Sequence, residues 1–194
     1  VVCGGVVCCG FLVSVCGHTS FSLRCSRFAA LYLSVVVVVC AVVLALLWRE
    51  QLLVGHAGDS RAYRWREGVL TQLTRDHSLL QEQLDAGLIT PEQAAVSGYR
   101  SWVTRALGVE DTVLLETTEH AVQAGDLFLL CSDGLTEMVD DADIADVLGG
   151  RGPLDEQARM LIERAKAGGG RDNVSVILAR PGEMLKKSGI AGSW

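Results

Sequence analysis

Acidic residues are absent from the first 48 positions of this chain, and all 23 aspartates and glutamates lie after Trp48. The same first part holds two arginines, Arg24 and Arg27, so its net charge is +2, whereas the remainder carries −8. An acidic globular part lacks the basic stripe with which proteins neutralise nucleic-acid phosphates. The charge distribution therefore argues against a nucleic-acid partner.

Regular cysteine spacing is also absent. Six of the seven cysteines lie at irregular intervals in residues 1–40, at Cys3, Cys8, Cys9, Cys16, Cys25 and Cys40. Neither a second cysteine pair nor a histidine stands at the spacing of a zinc site, and no disulfide framework is indicated. The seventh, Cys131, lies in an apolar run and is interpreted as a small buried hydrophobic residue.

Charged residues are missing from the apolar stretch at residues 28–48. About twenty apolar residues are enough to cross a bilayer as a helix. The valine run at residues 35–39, however, favours a strand. Residues 41–48, a short polar turn and residues 52–56 indicate two buried strands. We therefore expect a cytoplasmic protein, and a membrane anchor through residues 28–48 is the alternative.

From residue 52 onward, apolar runs and turn residues predict a succession of strands and helices. Further strands are expected at residues 61–65, 69–73, 101–107, 113–118, 127–131 and 174–179. Helices are expected after Ser78 and Thr90, across residues 140–148, and along the apolar stripe of Ala158, Leu161, Ile162 and Ala165. The pattern indicates one domain over about residues 41–181, followed by a tail at residues 182–194.

Three short aspartate motifs stand beside strand-like runs: Gly58-Asp59-Ser60, Ser132-Asp133-Gly134 and Arg171-Asp172-Asn173. Each motif alone is a common turn or loop cap. Hard divalent cations, however, require several carboxylate oxygens from distant parts of a chain, held on rigid elements. The combination predicts a Mg²⁺ or Mn²⁺ site at Asp59, Asp133 and Asp172, with Gly134 and Asn173 as possible neighbours of the metal.

Two other motifs do not support a binding site. The aspartates at residues 140–146 lack the glycine and glutamate that an EF-hand loop requires, so they are interpreted as a helix start. The three glycines at residues 168–170 precede an arginine and a strand, whereas a phosphate-binding loop precedes a lysine and a helix. We interpret them as a flexible turn.

Five motifs follow one another in a specific order: Gly58-Asp59-Ser60-Arg61-Ala62-Tyr63, Leu73-Thr74-Arg75-Asp76-His77-Ser78, Thr104-Arg105-Ala106-Leu107-Gly108, Gly125-Asp126 with Ser132-Asp133-Gly134, and Arg171-Asp172-Asn173-Val174-Ser175-Val176. This order resembles that of the metal-dependent PPM (type 2C) Ser/Thr protein phosphatases, bacterial branch. The resemblance covers about residues 41–181.

The resemblance implies an α+β fold in which two antiparallel β-sheets pack as a sandwich flanked by helices. It also implies that Asp133 and Asp172 are metal ligands, that Asp59 binds an additional weaker metal, and that residues 79–99 form a mobile flap beside the substrate site. The implied activity is hydrolysis of phosphoserine and phosphothreonine in proteins by a binuclear Mg²⁺ or Mn²⁺ centre. The implied partners are phosphorylated proteins and a cognate Ser/Thr kinase.

One part of the family pattern is missing. The family carries an N-terminal Asp-Gly-x-Gly-Gly-His motif and an upstream arginine, but Cys3-Gly4-Gly5 and Gly17-His18 lack the aspartate. We therefore expect residues 1–40 to be foreign to the family, as a frameshift would produce, and the start at Val1 to reflect a fragment or a misassigned start. Loss of a bridging carboxylate predicts low activity. The alternative is a non-catalytic remnant that acts by binding.

Overall fold

The computed structural model of the chain describes residues 3–6, 32–38, 41–48, 50–95, 102–105 and 114–181. Within these ranges the strands are β1 (Cys3–Val6), β2 (Tyr32–Val38), β3 (Ala41–Trp48), β4 (Gln51–Ala57), β5 (Arg61–Arg66), β6 (Val69–Gln72), β7 (Glu116–Ala121), β8 (Leu127–Cys131) and β9 (Ser175–Ala179). The helices are α1 (Leu79–Asp85), α2 (Pro91–Ala95), α3 (Asp133–Thr136), α4 (Asp141–Gly149) and α5 (Leu154–Ala167).

The strands form two sheets. The first sheet has the order β1-β9-β8-β5-β6, and the second has the order β2-β3-β4-β7. All neighbouring pairs are antiparallel except β1 and β9, which run parallel. This arrangement confirms the expected α+β fold of two packed antiparallel sheets with helices.

A first apolar core lies between the sheets. Alternate residues of β3 and β4 face the first sheet, because successive side chains of a strand point to opposite sides. The buried residues of this cluster are Val43, Ala45, Leu47, Leu52 and Val54 from the second sheet, and Ala62, Phe128, Leu130 and Ile177 from the first.

A second apolar core lies on the other side of the first sheet, where helices α3, α4 and α5 pack. Alternate residues of β5, β8 and β9 contribute to it together with the apolar faces of the helices; from α5 these are Leu154, Ala158, Leu161, Ile162 and Ala165. Strand β8 is therefore covered on both faces, and all five of its residues are buried. This double burial explains the unbroken apolar run at Leu127–Cys131.

The apolar stretch at residues 28–48 contributes strands. Tyr32–Val38 and Ala41–Trp48 are neighbouring antiparallel strands of the second sheet, in which Val36 lies opposite Val43. A helix across residues 28–48, the predicted alternative, is therefore wrong for these residues, and the β-branched valines account for the difference. In the part of the chain that the structure describes, no helix combines the length and apolar character that a membrane span requires.

Most predicted elements downstream are confirmed. Ser78 caps α1, since its side chain accepts a hydrogen bond from the Gln81 backbone N–H. The strand predicted at residues 101–107 is wrong in its described part, where Val103 makes only an isolated bridge with Ser78. The strand predicted at residues 113–118 begins at Glu116 and ends at Ala121. The predicted tail at residues 182–194 lies outside the described residues.

Arg66 forms an ion pair beside the first sheet and a hydrogen bond to the second. Arg66 on β5 donates to both carboxylate oxygens of Asp126 at 2.6 and 2.7 Å, and to the carbonyl of Ala121 on β7 at 3.0 Å. The Asp126 side chain is 0% exposed and also accepts from the Gln123 N–H at 2.9 Å. Burial alone would raise the pKa of Asp126, but the hydrogen bonds from Arg66 and Gln123 hold it below its usual value. Asp126 is therefore a charged anchor inside the fold.

We expect Asp126→Ala to lower the free energy of unfolding by about 1–3 kcal/mol, because it leaves the Arg66 and Gln123 donors without their acceptor. Urea denaturation measures the change. The control is Glu163→Ala, which removes an exposed ion pair with Lys166 and should change stability by less than about 1 kcal/mol. Equal effects of the two substitutions would contradict the anchoring role of Asp126.

Candidate metal centre

The strand register brings the three predicted aspartates to one end of the first sheet. Arg61 on β5 lies opposite Cys131 on β8, and Cys131 lies opposite Val176 on β9. Asp59 precedes Arg61 by two residues, Asp133 follows Cys131 by two, and Asp172 precedes β9. Because the neighbouring strands are antiparallel, all three aspartates leave the sheet at the same end.

Ser132 connects the start of α3, which carries Asp133, to the loop that carries Asp172. Its hydroxyl donates to the carbonyl of Asn173 at 2.9 Å and accepts from the N–H of Ser175 at 3.0 Å. Its own N–H donates to the carbonyl of Ser175 at 3.1 Å. Ser132 is 0% exposed. These three hydrogen bonds fix the start of α3 against the segment that enters β9.

Gly134 allows the same two segments to touch. A Cβ atom at this position would collide with the carbonyl oxygen of Asn173. The backbone therefore approaches closely only because residue 134 has no side chain. The two residues predicted as possible neighbours of a metal, Gly134 and Asn173, are thus in contact with each other.

Asp59 lies on the turn between β4 and β5. Gly58 supplies the positive φ of this turn, at 105°. Asp59 and Asp133 line one cavity of about 270 Å³, and Thr136 and Glu137 of the α3 segment lie on the same wall. The structure therefore places two of the predicted ligands in a shared cavity, while Asp172 is exposed beside it.

The negative charges of Asp59 and Asp172 act on Asp133. Burial raises the pKa of Asp133 to about 6, and the negative charges of Asp59 and Asp172 contribute to the rise. Burial also raises the pKa of Asp59. Such mutual repulsion is unfavourable unless a cation or a proton neutralises it. The donor set, composed of carboxylate oxygens, fits the preference of Mg²⁺ and Mn²⁺.

Residues of the predicted flap also line the cavity. Helices α1 and α2 contribute the largely apolar side chains Leu80, Gln81, Leu84 and Ala94. These helices confirm the helical part of the expectation for residues 79–99, whereas residues 96–99 lie outside the described residues. The cavity therefore combines acidic side chains from the sheet end and the α3 segment with largely apolar side chains from α1 and α2.

Arg61 is the cation in the cavity wall, and its charge is already paired. Its guanidinium donates to both oxygens of Asp76, at 2.9 and 2.7 Å, and to the Tyr63 hydroxyl at 3.0 Å. Burial alone would lower the pKa of Arg61, but the hydrogen bond to Asp76 raises it above its usual value. Arg61 therefore stays protonated and orients Asp76 in the wall.

A second polar cluster, composed of His56, His77 and Glu116, was not predicted. One potential ligand atom from each lies within 4.8 Å of the others, and no other such group, including the three aspartates, is this compact among the described residues. The His77 Nδ1, however, accepts from the Gly58 N–H at 3.1 Å, so His77 carries its proton on Nε2, which donates to Glu116 at 3.1 Å. His56 Nε2 donates to the Arg75 carbonyl at 2.7 Å. Hydrogen bonds thus occupy both ring nitrogens of His77 and the Nε2 of His56.

Little in the sequence points to these supporting residues. Ser132 and His77 stand inside motifs that carried the family resemblance, which marks them as positions of interest. His56 and Glu116 stand in strands without a motif, and only the pairing of β4 with β7, where they are opposite each other, brings them together.

Known proteins match the chain over most of its described part, although no family model matches it. The serine/threonine phosphatase stp of Listeria innocua is 40% identical over 144 residues, which is 74% of this chain and 57% of that protein. The phosphatase PstP of Mycobacterium tuberculosis is 46% identical over 127 residues, which is 64% of this chain and 24% of that protein. The chain therefore spans little more than half the length of the Listeria relative.

Solved structures share the fold. The crystal structure of M. tuberculosis PstP has a TM-score of 0.67 and 41% identity, covering 71% of this chain and 57% of that one. The PPM Ser-Thr phosphatase MsPP of M. smegmatis, in complex with cacodylate, has a TM-score of 0.65 and 33% identity, covering 71% and 60%. A PstP catalytic domain in complex with two manganese ions has a TM-score of 0.63 and 39% identity, covering 71% and 56%.

We expect Gly134→Ala to destabilise the protein by about 1–3 kcal/mol, because the new methyl group collides with the Asn173 carbonyl. Thermal denaturation measures the effect. The matched control is Gly149→Ala at the end of α4, where a Cβ would make an ordinary 3.6 Å contact with Trp65. That substitution should leave stability unchanged or raise it by up to about 1 kcal/mol. A neutral Gly134→Ala would contradict the close approach.

Proposed function

We propose that this chain, which belongs to the PPM (type 2C) metal-dependent Ser/Thr phosphatases of bacteria, binds Mn²⁺ or Mg²⁺ for the hydrolysis of phosphoserine and phosphothreonine esters in proteins. The match to a bacterial phosphatase covers 74% of the chain. The observation that carries the proposal is the contact between the two aspartate loops. Ser132 bonds to Asn173 and Ser175, and Gly134 touches Asn173. A cognate Ser/Thr kinase and a cytoplasmic location stay predictions.

In this proposal Asp133 and Asp172 are ligands of the metal centre, and Asp59 is a ligand of an additional weaker metal. When bound, the ions supply a coordinated water of lowered pKa and stabilise charge on the phosphate. The rigid end of β8, with its Ser132 hydrogen bonds, holds Asp133 in place. The Arg61–Asp76 pair and the apolar side chains of α1 form the remaining walls in which a phosphorylated side chain would lie.

The carboxylate site is favoured over the histidine cluster by hydrogen bonding. Coordination by His77 Nε2 would require the proton to move to Nδ1, where it would face the Gly58 N–H donor. Asp133 and Asp59 make no comparable demand, because a carboxylate has several lone pairs and can bind a cation while accepting other hydrogen bonds. The proposal therefore assigns the metal to the aspartates.

The catalytic activity of this chain depends also on residues 1–40. Residues 1–40 contain no Asp-Gly-x-Gly-Gly-His motif, and the family resemblance assigns the bridging aspartate and a candidate general acid to that motif. We therefore propose that the chain binds metal through its described aspartates but turns over phosphoesters slowly. The alternative, a non-catalytic remnant acting by binding, shares the fold and differs in activity. That residues 1–40 are foreign to the family stays a prediction.

Asp133→Ala and Asp172→Ala should each weaken Mn²⁺ binding at least tenfold, since loss of even a hydrogen-bonding partner of a ligand typically costs about 10–100-fold in affinity. Isothermal titration calorimetry measures the affinity. The control is Asp146→Ala, an exposed aspartate of α4, which should leave Mn²⁺ affinity unchanged. Equal losses in all three variants would show that the titration reports overall negative charge and not this site.

The comparison is with a chimera in which residues 1–40 are replaced by a segment carrying Asp-Gly-x-Gly-Gly-His. The unmodified chain should hydrolyse a phosphothreonine peptide at least about 100-fold more slowly than this chimera, because loss of one member of a catalytic unit removes most of the activity of the whole unit. Both proteins are assayed with Mn²⁺ at equal folded concentration. Robust turnover by the unmodified chain that Asp133→Ala abolishes would overturn the proposal of low activity. No turnover by a folded, Mn²⁺-binding chimera would favour the remnant.

A further inference from the structure

We propose that His77 is a positioning residue that holds the Gly58-Asp59 turn in a fixed place relative to helix α1. The inference concerns a residue outside the aspartate set, and its consequence for metal binding rests on the proposed role of Asp59. Four features of the structure support it: a reciprocal hydrogen bond with Gly58, a fixed ring tautomer, a buried stacking partner and a direct connection to the start of α1.

The reciprocal contact with Gly58 is the first feature. The Gly58 N–H donates to His77 Nδ1 at 3.1 Å, and the His77 backbone N–H donates to the Gly58 carbonyl at 2.9 Å. Both polar groups of the Gly58 backbone are therefore bound to one residue. Asp59 is the next residue along the chain, so the position of its backbone depends on this contact.

The His77 ring is held from its other sides as well. Its Nε2 donates to Glu116 at 3.1 Å, and its face stacks on His56 with ring centroids 4.7 Å apart and an interplanar angle of 11°. Arg105 Nη1 lies 3.5 Å from the same Nε2. Burial lowers the pKa of His77, the hydrogen bond to Glu116 opposes this effect, and the nearby His56 and Arg105 act with burial, so the pKa lies below its usual value. The ring is therefore neutral at pH 7, with Nδ1 free to accept from Gly58.

The His77 segment also carries the start of the helical wall. The His77 carbonyl accepts from the Thr104 N–H at 2.8 Å, and the Leu79 N–H donates to the Trp102 carbonyl at 2.9 Å. Ser78, the next residue, caps α1. His77 therefore joins the turn that holds Asp59 to a helix that also lines the cavity. Loss of the His77 side chain should therefore make the position of the Asp59 turn relative to α1 less fixed.

The tautomer is tested first on the unmodified chain, by nitrogen NMR of the histidine rings. The expected result is a neutral His77 with the proton on Nε2 and an unprotonated, hydrogen-bonded Nδ1. A proton on Nδ1 would overturn the proposal, because the Gly58 N–H would then have no acceptor. This measurement does not depend on metal binding or activity.

Three variants then test the positioning role through amide hydrogen exchange. His77→Ala should speed exchange of the Gly58 amide by about tenfold or more, because that amide loses its acceptor. His77→Asn, whose side-chain oxygen can replace Nδ1 as acceptor, should restore most of the protection. The control His120→Ala, on β7, should leave Gly58 unchanged. Unchanged exchange in His77→Ala, or no rescue by His77→Asn, would overturn the proposal.

Mn²⁺ titration of the same variants links His77 to Asp59. His77→Ala should lower the Mn²⁺ affinity of the weaker site several-fold and leave the affinity of the tighter site unchanged. In an Asp59→Ala background, the same substitution should have no further effect on Mn²⁺ affinity. Additive losses in the double variant would overturn a role that acts through Asp59. If the unmodified chain binds no Mn²⁺, the proposed function fails, whereas the NMR and exchange measurements still decide the positioning role.

Discussion

The contact between the loop after β8 and the loop before β9 is the constraint on which the candidate site depends. Its hydrogen bonds run through the buried Ser132 hydroxyl, and its close approach requires a glycine at residue 134. Both segments leave strands of the first sheet, which is packed on one face by the second sheet and on the other by helices. The two cores therefore hold the strand ends in place, and the strand ends hold Asp133 near Asp172.

The acidic residues of this chain occupy two different electrostatic settings. Asp126 and Asp76 each accept hydrogen bonds from an arginine at both carboxylate oxygens, so their charges are compensated within the protein. Asp133 instead has the acidic neighbours Asp59 and Asp172, and burial together with these neighbours raises its pKa to about 6. This contrast separates carboxylates that stabilise the fold from carboxylates that are suited to a cation.

Local patterns predicted much of the fold, because a strand or helix is encoded by its own residues. The β5–β6 hairpin, with Glu67 and Gly68 in its turn, and the stripe of α5 are examples. Strand order is not local: the combination of the three motifs predicted a shared cation site at Asp59, Asp133 and Asp172, but only the strand register shows which end of the sheet they share. The prediction of a strand around Val103 is wrong, because in the described part of that segment Val103 makes only an isolated bridge with Ser78. The histidine cluster was missed because its members come from β4, β7 and a loop.

The most direct test of the account is paramagnetic relaxation in the unmodified chain, measured by NMR during addition of substoichiometric Mn²⁺. The account predicts that the strongest relaxation enhancement appears at the backbone amides of Gly134 and Asn173, where the two aspartate loops touch. Strongest enhancement at His56 and Glu116 would place the ion in the histidine cluster. That result, or the absence of any localised enhancement, would contradict a metal centre built on Asp133 and Asp172.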